Sequence, residues 1–395
     1  MEFKSFAGLR NDRPIERFGP ADLTVGQNVD IDSSGGIARR SGYTQIASGA
    51  KHSLWSDDAG EIAFYVSDTV LYKLNSDLSV SAVKTGLTPD LKMVYHKVLD
   101  RVYFSNGQQS GVIENNVARS WGLSIPTLPT VSVTVGEMPE GVYQYTMTYF
   151  RNDGQESGAT LAHQIIVPEG GGLTFTAPVS DDSTVTLKGI YLSTPNGEIL
   201  YQIAIIPNDQ ALFVYAGNAL EFTLPLATQF FSGPPAGHMI GSYRGHVYVA
   251  VDDTLYPSEP FAYELFDLRK GIPLDGRITL FSAMDSPDGE GLFIGTDRDC
   301  GIFVGKGPVD FEYVPKINYG AIEGTLVHMD GSLYGDGSFG TQTLPLWLTS
   351  QGICVGLPKM EIRNITRARY RITAEGQGSA VFLPEPNRLI MTSAL

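Results

Sequence analysis

The chain has 395 residues, 42% of them hydrophobic, enough for one large β domain or two domains with a substantial core. No apolar run approaches the roughly 20 residues that cross a bilayer as a helix, and residues 1–6 (MEFKSF) lack the long apolar stretch of a secretory signal, so a soluble chain made in a cytoplasm is expected. Forty-three acidic against 28 basic residues leave a net charge of −15, a balance that argues against stable nucleic-acid binding.

In chain order, residues 28–43 (NVDIDSSGGIARRSGY) come first. Val29 and Ile31 alternate with Asp30 and Asp32, residues 33–36 form a turn able to adopt positive φ, and Ile37 restarts an apolar pattern. An N-terminal β-hairpin is predicted. Short strand, turn, short strand then recurs: residues 62–66 with 70–74, 102–105 before Asn106-Gly107, 246–251 with 254–256, 291–296 with 301–305, 326–329 with 332–334, and 347–355. No window has a long 3.6-residue apolar period, so the chain is predicted to be all-β. A spacing on the order of 30 to 45 residues is the period of propeller blades, with a stack of β-sandwiches as the alternative.

The series breaks between Trp121 and Gly237, in a span that opens and closes on proline at residues 126–129 (PTLP) and 233–235 (GPP). Strands are expected at 141–149, 172–176, 184–192 and 198–205. Alternation puts Tyr143, Tyr145 and Met147 on one face and Val142, Gln144 and Thr146 on the other. About seven short strands suit a β-sandwich of roughly 100 residues. The expected division is therefore 1–125 for the hairpin and first blades, 126–235 for the inserted sandwich, and 236–395 for the remaining blades. A last strand region is expected at 369–373 and 379–383.

Residues 28–43, with 6–9 (FAGL) ahead of them, resemble the opening of the β-propeller proteins that form the tail tube, nozzle or hub of short-tailed bacteriophages. Asn28, Asp30, Asp32, Gly36, Arg40, Gly42 and Tyr43 stand in matching places, and Ser41 stands where those openings usually carry proline. Residues 145–157 and 190–194 resemble a fibronectin type III or immunoglobulin-like module, of the kind found inserted in such propellers. Residues 289–296, 320–325 and 347–356 resemble later phrases of the same proteins. The resemblance implies a virion protein assembled in the host cytoplasm: a homohexameric nozzle or hub between the head-to-tail adaptor protein and tail fibre or spike proteins. DNA would pass through transiently without specific binding, along a channel expected to be lined mostly by acidic side chains.

A propeller whose last blade lacks a strand leaves backbone groups unpaired, and an N-terminal strand can complete it. Residues 25–46 are therefore expected to pair with strands near Val381 or Leu389, making the seven matching residues part of a ring-closing hairpin.

Chemistry is sparse. Cys300 and Cys354 have no zinc spacing and read as buried thiols, and the six histidines are scattered, so neither metal nor cofactor is expected. Residues 56–60 (SDDAG) partly resemble the Asp-box turn of sialidase propellers, but Ala63 stands where an aromatic belongs. Residues 285–289 (DSPDG) and 297–299 (DRD) read as turns, as does 305–308 (GKGP), and Arg39 and Arg40 as a solvated pair. Phosphate-loop and nucleophile-elbow patterns are absent. A non-enzymatic role is expected. A carbohydrate-binding or glycan-hydrolysing propeller is the alternative, and a secreted adhesion protein built of sandwiches a further one.

Overall fold

The computed structural model describes residues 6–32, 34–57, 59–217, 224–284, 290–335, 337–383 and 387–394. The expected turn at 285–289, Ser33 in the hairpin turn and Asp58 in the 56–60 stretch lie outside them. Strand makes up 51% of the structure and helix 4%, the latter in short 3-10 turns, so the chain is all-β; no barrel closes among the described residues.

Five antiparallel meanders follow one another in the chain. The first sheet is four-stranded: His52–Ser56, Ala63–Ser67, Val70–Leu74 and Val80–Lys84. The second is Val94–Val98, Arg101–Ser105, Ser110–Glu114 and Val117–Arg119. The third, Met239–Tyr243, His246–Val251, Thr254–Glu259 and Ala262–Phe266, gains Ile272–Pro273 as an extra strand. Ile278–Met284, Gly291–Thr296, Cys300–Val304 and Glu312–Ile317 form the fourth, and Val327–Asp330, Thr343–Thr349, Gly352–Leu357 and Glu361–Asn364 the fifth.

Period-two alternation in the second strand of each sheet explains how the sheets stack. Successive side chains leave opposite faces, so a strand apolar at every position serves two cores. Val102 and Phe104 pack with Phe64 and Leu71 of the first sheet, whereas Tyr103 between them packs with Val247 and Val249 of the third. Tyr248 and Ala250 then turn to Leu292 and Ile294 of the fourth sheet. Phe293 faces Trp347 of the fifth, with ring centroids 6.0 Å apart. Each sheet is thus covered by its neighbours in chain order.

Hydroxyls recur where the second strand turns into the third. Ser105 donates to the Gly237 carbonyl at 2.6 Å, Thr349 to the Gly352 carbonyl at 2.6 Å, and Thr296 Oγ1 to Asp299 Oδ1 at 3.0 Å. All three are buried, and a buried hydroxyl that both donates and accepts satisfies turn backbone groups that the ladder leaves open.

Between the second and third sheets lie a three-stranded sheet (Thr130–Met138, Gly171–Thr176, Leu212–Tyr215) and a four-stranded one (His163–Val167, Gly141–Arg151, Val185–Ser193, Leu200–Pro207). They share one core, in which Tyr143, Tyr145, Met147 and Tyr149 meet Leu173 and Phe175. Tyr143, Tyr145 and Met147 are buried, and the opposite face is covered as well: Val142 and Gln144 are half-buried and Thr146 is fully buried.

Two expected strand pairings are corrected. Residues 332–334 do not pair with 326–329: Asp330 accepts the Ser332 amide at 2.8 Å and caps a 3-10 turn, and Val327–Asp330 pairs instead with Thr343–Thr349. Residues 369–373 form no strand either. Their backbone is engaged by Asn11, whose amide donates to the Arg369 carbonyl at 3.0 Å and whose side chain donates to the Arg371 carbonyl at 2.8 Å. The last hairpin is Glu375–Leu383 with Arg388–Ala394.

Candidate functional site

The N-terminal hairpin forms from Val29–Ile31 and Ile37–Arg39, with Ile31 opposite Ile37. Asp32 organises its turn: Oδ1 accepts from the Ser34 amide at 2.8 Å, the Ser34 hydroxyl at 2.6 Å and the Gly36 amide at 2.8 Å. These donors, the Ser34 hydroxyl foremost, hold its carboxyl below the usual range. A Cβ at Gly36 would fall 2.6 Å from Asp32 Oδ2, which is why glycine suits that place. Asn28 adopts φ 56° and its carbonyl accepts the Arg40 amide at 3.0 Å. Asp30 pairs with Arg40 at 3.2 Å and, across the chain, with Arg388.

Five of the seven matching residues are therefore brought together. Gly42 and Tyr43 are not: a Cβ at Gly42 would meet nothing within 4 Å beyond its chain neighbours, and Tyr43 is 72% exposed. The ladder expected between residues 25–46 and the strands at Val381 and Leu389 is not formed among the described residues. Charged side chains on Asp30 and Arg388 meet instead, and Asp22 pairs with Arg369 at 2.9 Å. With no strand paired beyond the hairpin itself, Ile37–Arg39 is exposed throughout.

A second contact set joins the last hairpin to the rest of the molecule. Arg277, ahead of the fourth sheet, reaches Asp252 of the third at 2.8 Å and Glu323, ahead of the fifth, at 3.2 Å. Gln377 of the last hairpin donates to Glu323 at 3.3 Å, and a backbone bridge joins residues 323 and 377. Lys92, just before the second sheet, then donates to the Gly378 carbonyl at 3.0 Å. Polar contacts thus run from the third sheet through the fourth, the fifth and the last hairpin to the start of the second. Burial lowers the Lys92 pKa, and Glu323 opposes that shift. Lys92→Met should lower stability by about 1–3 kcal/mol, the range for a lost bond to a charged donor. Faster amide exchange confined to residues 375–394 is the expected signature, and unchanged protection there would contradict it.

First strands of neighbouring sheets meet through imidazole and hydroxyl pairs. His96 Nε2 lies 2.8 Å from Ser242 Oγ, joining the second and third sheets, and His328 Nε2 lies 3.2 Å from Ser282 Oγ, joining the fourth and fifth. Among the described residues no group of three or more His, Cys, Asp or Glu could hold a metal ion. Asp57 accepts the Glu61 and Ile62 amides at 2.9 and 3.0 Å and pairs with Lys97 at 2.7 Å, while Asp297 accepts the Arg277 amide at 3.1 Å. Both are turn carboxylates. An open groove of about 440 Å³ lies where the inserted sheets leave the second sheet, lined by residues that include Trp121, Ile125 and Pro234.

Sequence reading missed the most heavily bonded carboxylate among the described residues. Glu264, buried in the third sheet, accepts from Arg119 of the second at 2.7 and 3.0 Å, from Arg151 of the inserted sheets at 3.0 Å and from the Gly122 amide at 3.2 Å. Arg101 stands 3.6 Å away. One usable cue existed: alternation through Tyr143, Tyr145, Met147 and Tyr149 puts Arg151 on the buried face, where an arginine needs a partner.

No protein-family model matches the chain, and no curated protein matches it. Among solved structures it is similar to an extracellular domain assigned to a hybrid two-component system from B. thetaiotaomicron, at 10% identity and TM-score 0.26, over 91% of this chain and 60% of that one. An auxiliary nutrient binding protein from Bacteroides ovatus is similar at 9% identity and TM-score 0.28, over 85% and 82% of the two chains. Porphyromonas gingivalis dipeptidyl peptidase 4 is similar at 11% identity and TM-score 0.26, over 86% and 41%. The chain spans about 60% of the length of the first of these. Likenesses at this level define neither a family nor an activity; the class reached is an all-β protein of successive small sheets.

Proposed function

We propose that the chain is a structural component of a phage tail: a β-propeller with an inserted β-sandwich, assembled as a homohexameric nozzle or hub. The observation that carries this reading is the order of the sheets. Consecutive meanders each pack on the next, and the last hairpin is tied back through Gly378 to Lys92 ahead of the second sheet. Radial repetition of four-stranded sheets is how propellers protect their edges. The N-terminal segment, through Asn11, Asp22 and Asp30, meets Arg369, Arg371 and Arg388 at the chain's other end, which suits a ring clasp of side chains.

In this reading the protein resides in the virion tail, between the head-to-tail adaptor and the fibres or spikes. An acidic balance repeated six-fold lets DNA pass with few phosphate contacts. Antibody labelling of purified phage particles tests it: label at the tail, in a particle that contains the chain by mass spectrometry, is expected. Absence from the particles, together with saturable binding or cleavage of host polysaccharide by the purified chain, would replace it with the glycan reading.

A further inference from the structure

The strand Thr130–Met138 is nine residues long, forms an edge of the three-stranded sheet, and has its ladder to Gly171–Thr176. Among the described residues, the outward backbone groups of residues 130–135 take no partner. No charge occurs from Trp121 to Gly136. Val133 is 44% exposed and Val135 88%. Several other edges are guarded in the ways that prevent strand addition, and the two in the inserted sheets that are not, Leu212–Tyr215 and His163–Val167, are only four and five residues long. Glu312–Ile317 carries Glu312, Pro315 and Lys316, and Glu361–Asn364 carries Glu361 and Arg363. Leu200–Pro207 is covered by residues 224–226, through the bond from the Gln202 amide to the Leu224 carbonyl at 2.9 Å and from the Leu226 amide to the Leu200 carbonyl at 2.8 Å.

Geometry restricts what can add to this edge. Backbone groups point outward at alternate residues, so an antiparallel copy of the same strand must pair residues of like parity. Centring the pair on Val133 meets that condition. It sets Val133 against Val133, Val131 against Val135, and Ser132 against Thr134, so apolar meets apolar and hydroxyl meets hydroxyl on both faces. Val133 and Val135, the exposed valines, are then covered.

We infer that residues 130–135 are a self-association edge through which two copies of this chain pair antiparallel about Val133. A second copy is the occupant because the segment is its own complement in alternation, and because being uncharged it is the stretch at which two chains of net charge −15 approach without local repulsion. The contact is isologous and two-fold, so it cannot be a contact within a six-membered ring; it joins free chains or two rings. It goes beyond the tail reading and does not rest on it. So short an edge falls below the usual 1,200 Å² of a stable interface, so dimerisation is expected only as concentration approaches the range of about 0.1–1 mM. Salt strengthens it by screening the two acidic bodies.

Sedimentation of the intact chain across that range, with disulfide trapping, tests the inference. A dimer that Val135→Lys abolishes is expected. Val133→Cys should cross-link to itself on oxidation, since directly opposed Cα atoms lie about 4.5–5.5 Å apart. Val135→Cys should not, because its copies are offset by four residues, about 13 Å along the strand. A mixture of Val131→Cys and Val135→Cys chains should cross-link. A chain monomeric throughout, or Val135→Cys linking as readily as Val133→Cys, would overturn the inference. A dimer in a chain that never forms six-fold species supports the edge and overturns only the ring.

Discussion

Glu264→Gln is expected to destabilise the fold by about 3–5 kcal/mol, the cost of removing one partner from a buried ion cluster. Glu264 is buried and faces Arg119 and Arg151, the latter also buried. The substitution keeps the shape of the side chain while leaving those guanidiniums without their shared carboxylate. Arg151 retains Asp153 at 3.0 Å and Arg119 retains the half-buried Glu114 at 3.4 Å, so the loss falls chiefly on the junction itself. Because the cluster joins the second sheet, the third sheet and the inserted sheets, proteolysis should accelerate near Trp121 and Gly233, where the chain enters and leaves the inserted sheets. Urea denaturation of the variant checks the magnitude. A loss under about 1 kcal/mol would mean that the cluster behaves like an exposed pair.

Trp347→Ala is expected to cost about 3–5 kcal/mol, the range for deleting a buried aromatic side chain. Trp347 is fully buried between the fourth and fifth sheets, with its ring 6.0 Å from that of Phe293. Cys300 and Cys354 share that core. Burial pushes the Cys354 thiol up to about 11 and the Cys300 thiol higher still, so both are protonated and slow toward alkylating reagents. Opening a cavity beside them should raise the rate of thiol labelling along with the loss of stability. Unchanged labelling, with a loss under about 1 kcal/mol, would place the tryptophan outside the packing that joins these two sheets.

Strand content was legible because alternation and turn chemistry are local. Residues 62–66 with 70–74, 246–251 with 254–256, and 291–296 with 301–305 pair within a few residues of where their apolar patterns put them. Residues 332–334 misled because Ser-Leu-Tyr has strand-like composition, whereas the Asp330 cap that overrides it is one hydrogen bond. Residues 369–373 misled for a related reason: their backbone is taken up by a turn onto the Thr366 carbonyl and by Asn11, some 360 positions away. The hairpin at residues 28–43 was legible as a hairpin, but not how it meets the C-terminal hairpin, since that contact depends on single long side chains such as Arg388. Lys92 was invisible for the same reason, and Glu264 was signalled only indirectly, by an arginine on a buried face. Partners brought together from distant parts of the chain leave no spacing to read.

The ring is tested most directly by native mass spectrometry of the purified chain, with electron microscopy of the same sample. A species of six times 42.8 kDa, seen end-on as a ring with a central channel, is the predicted result. A species that stays at 42.8 kDa across concentration and salt, with no ring in projection, would contradict it.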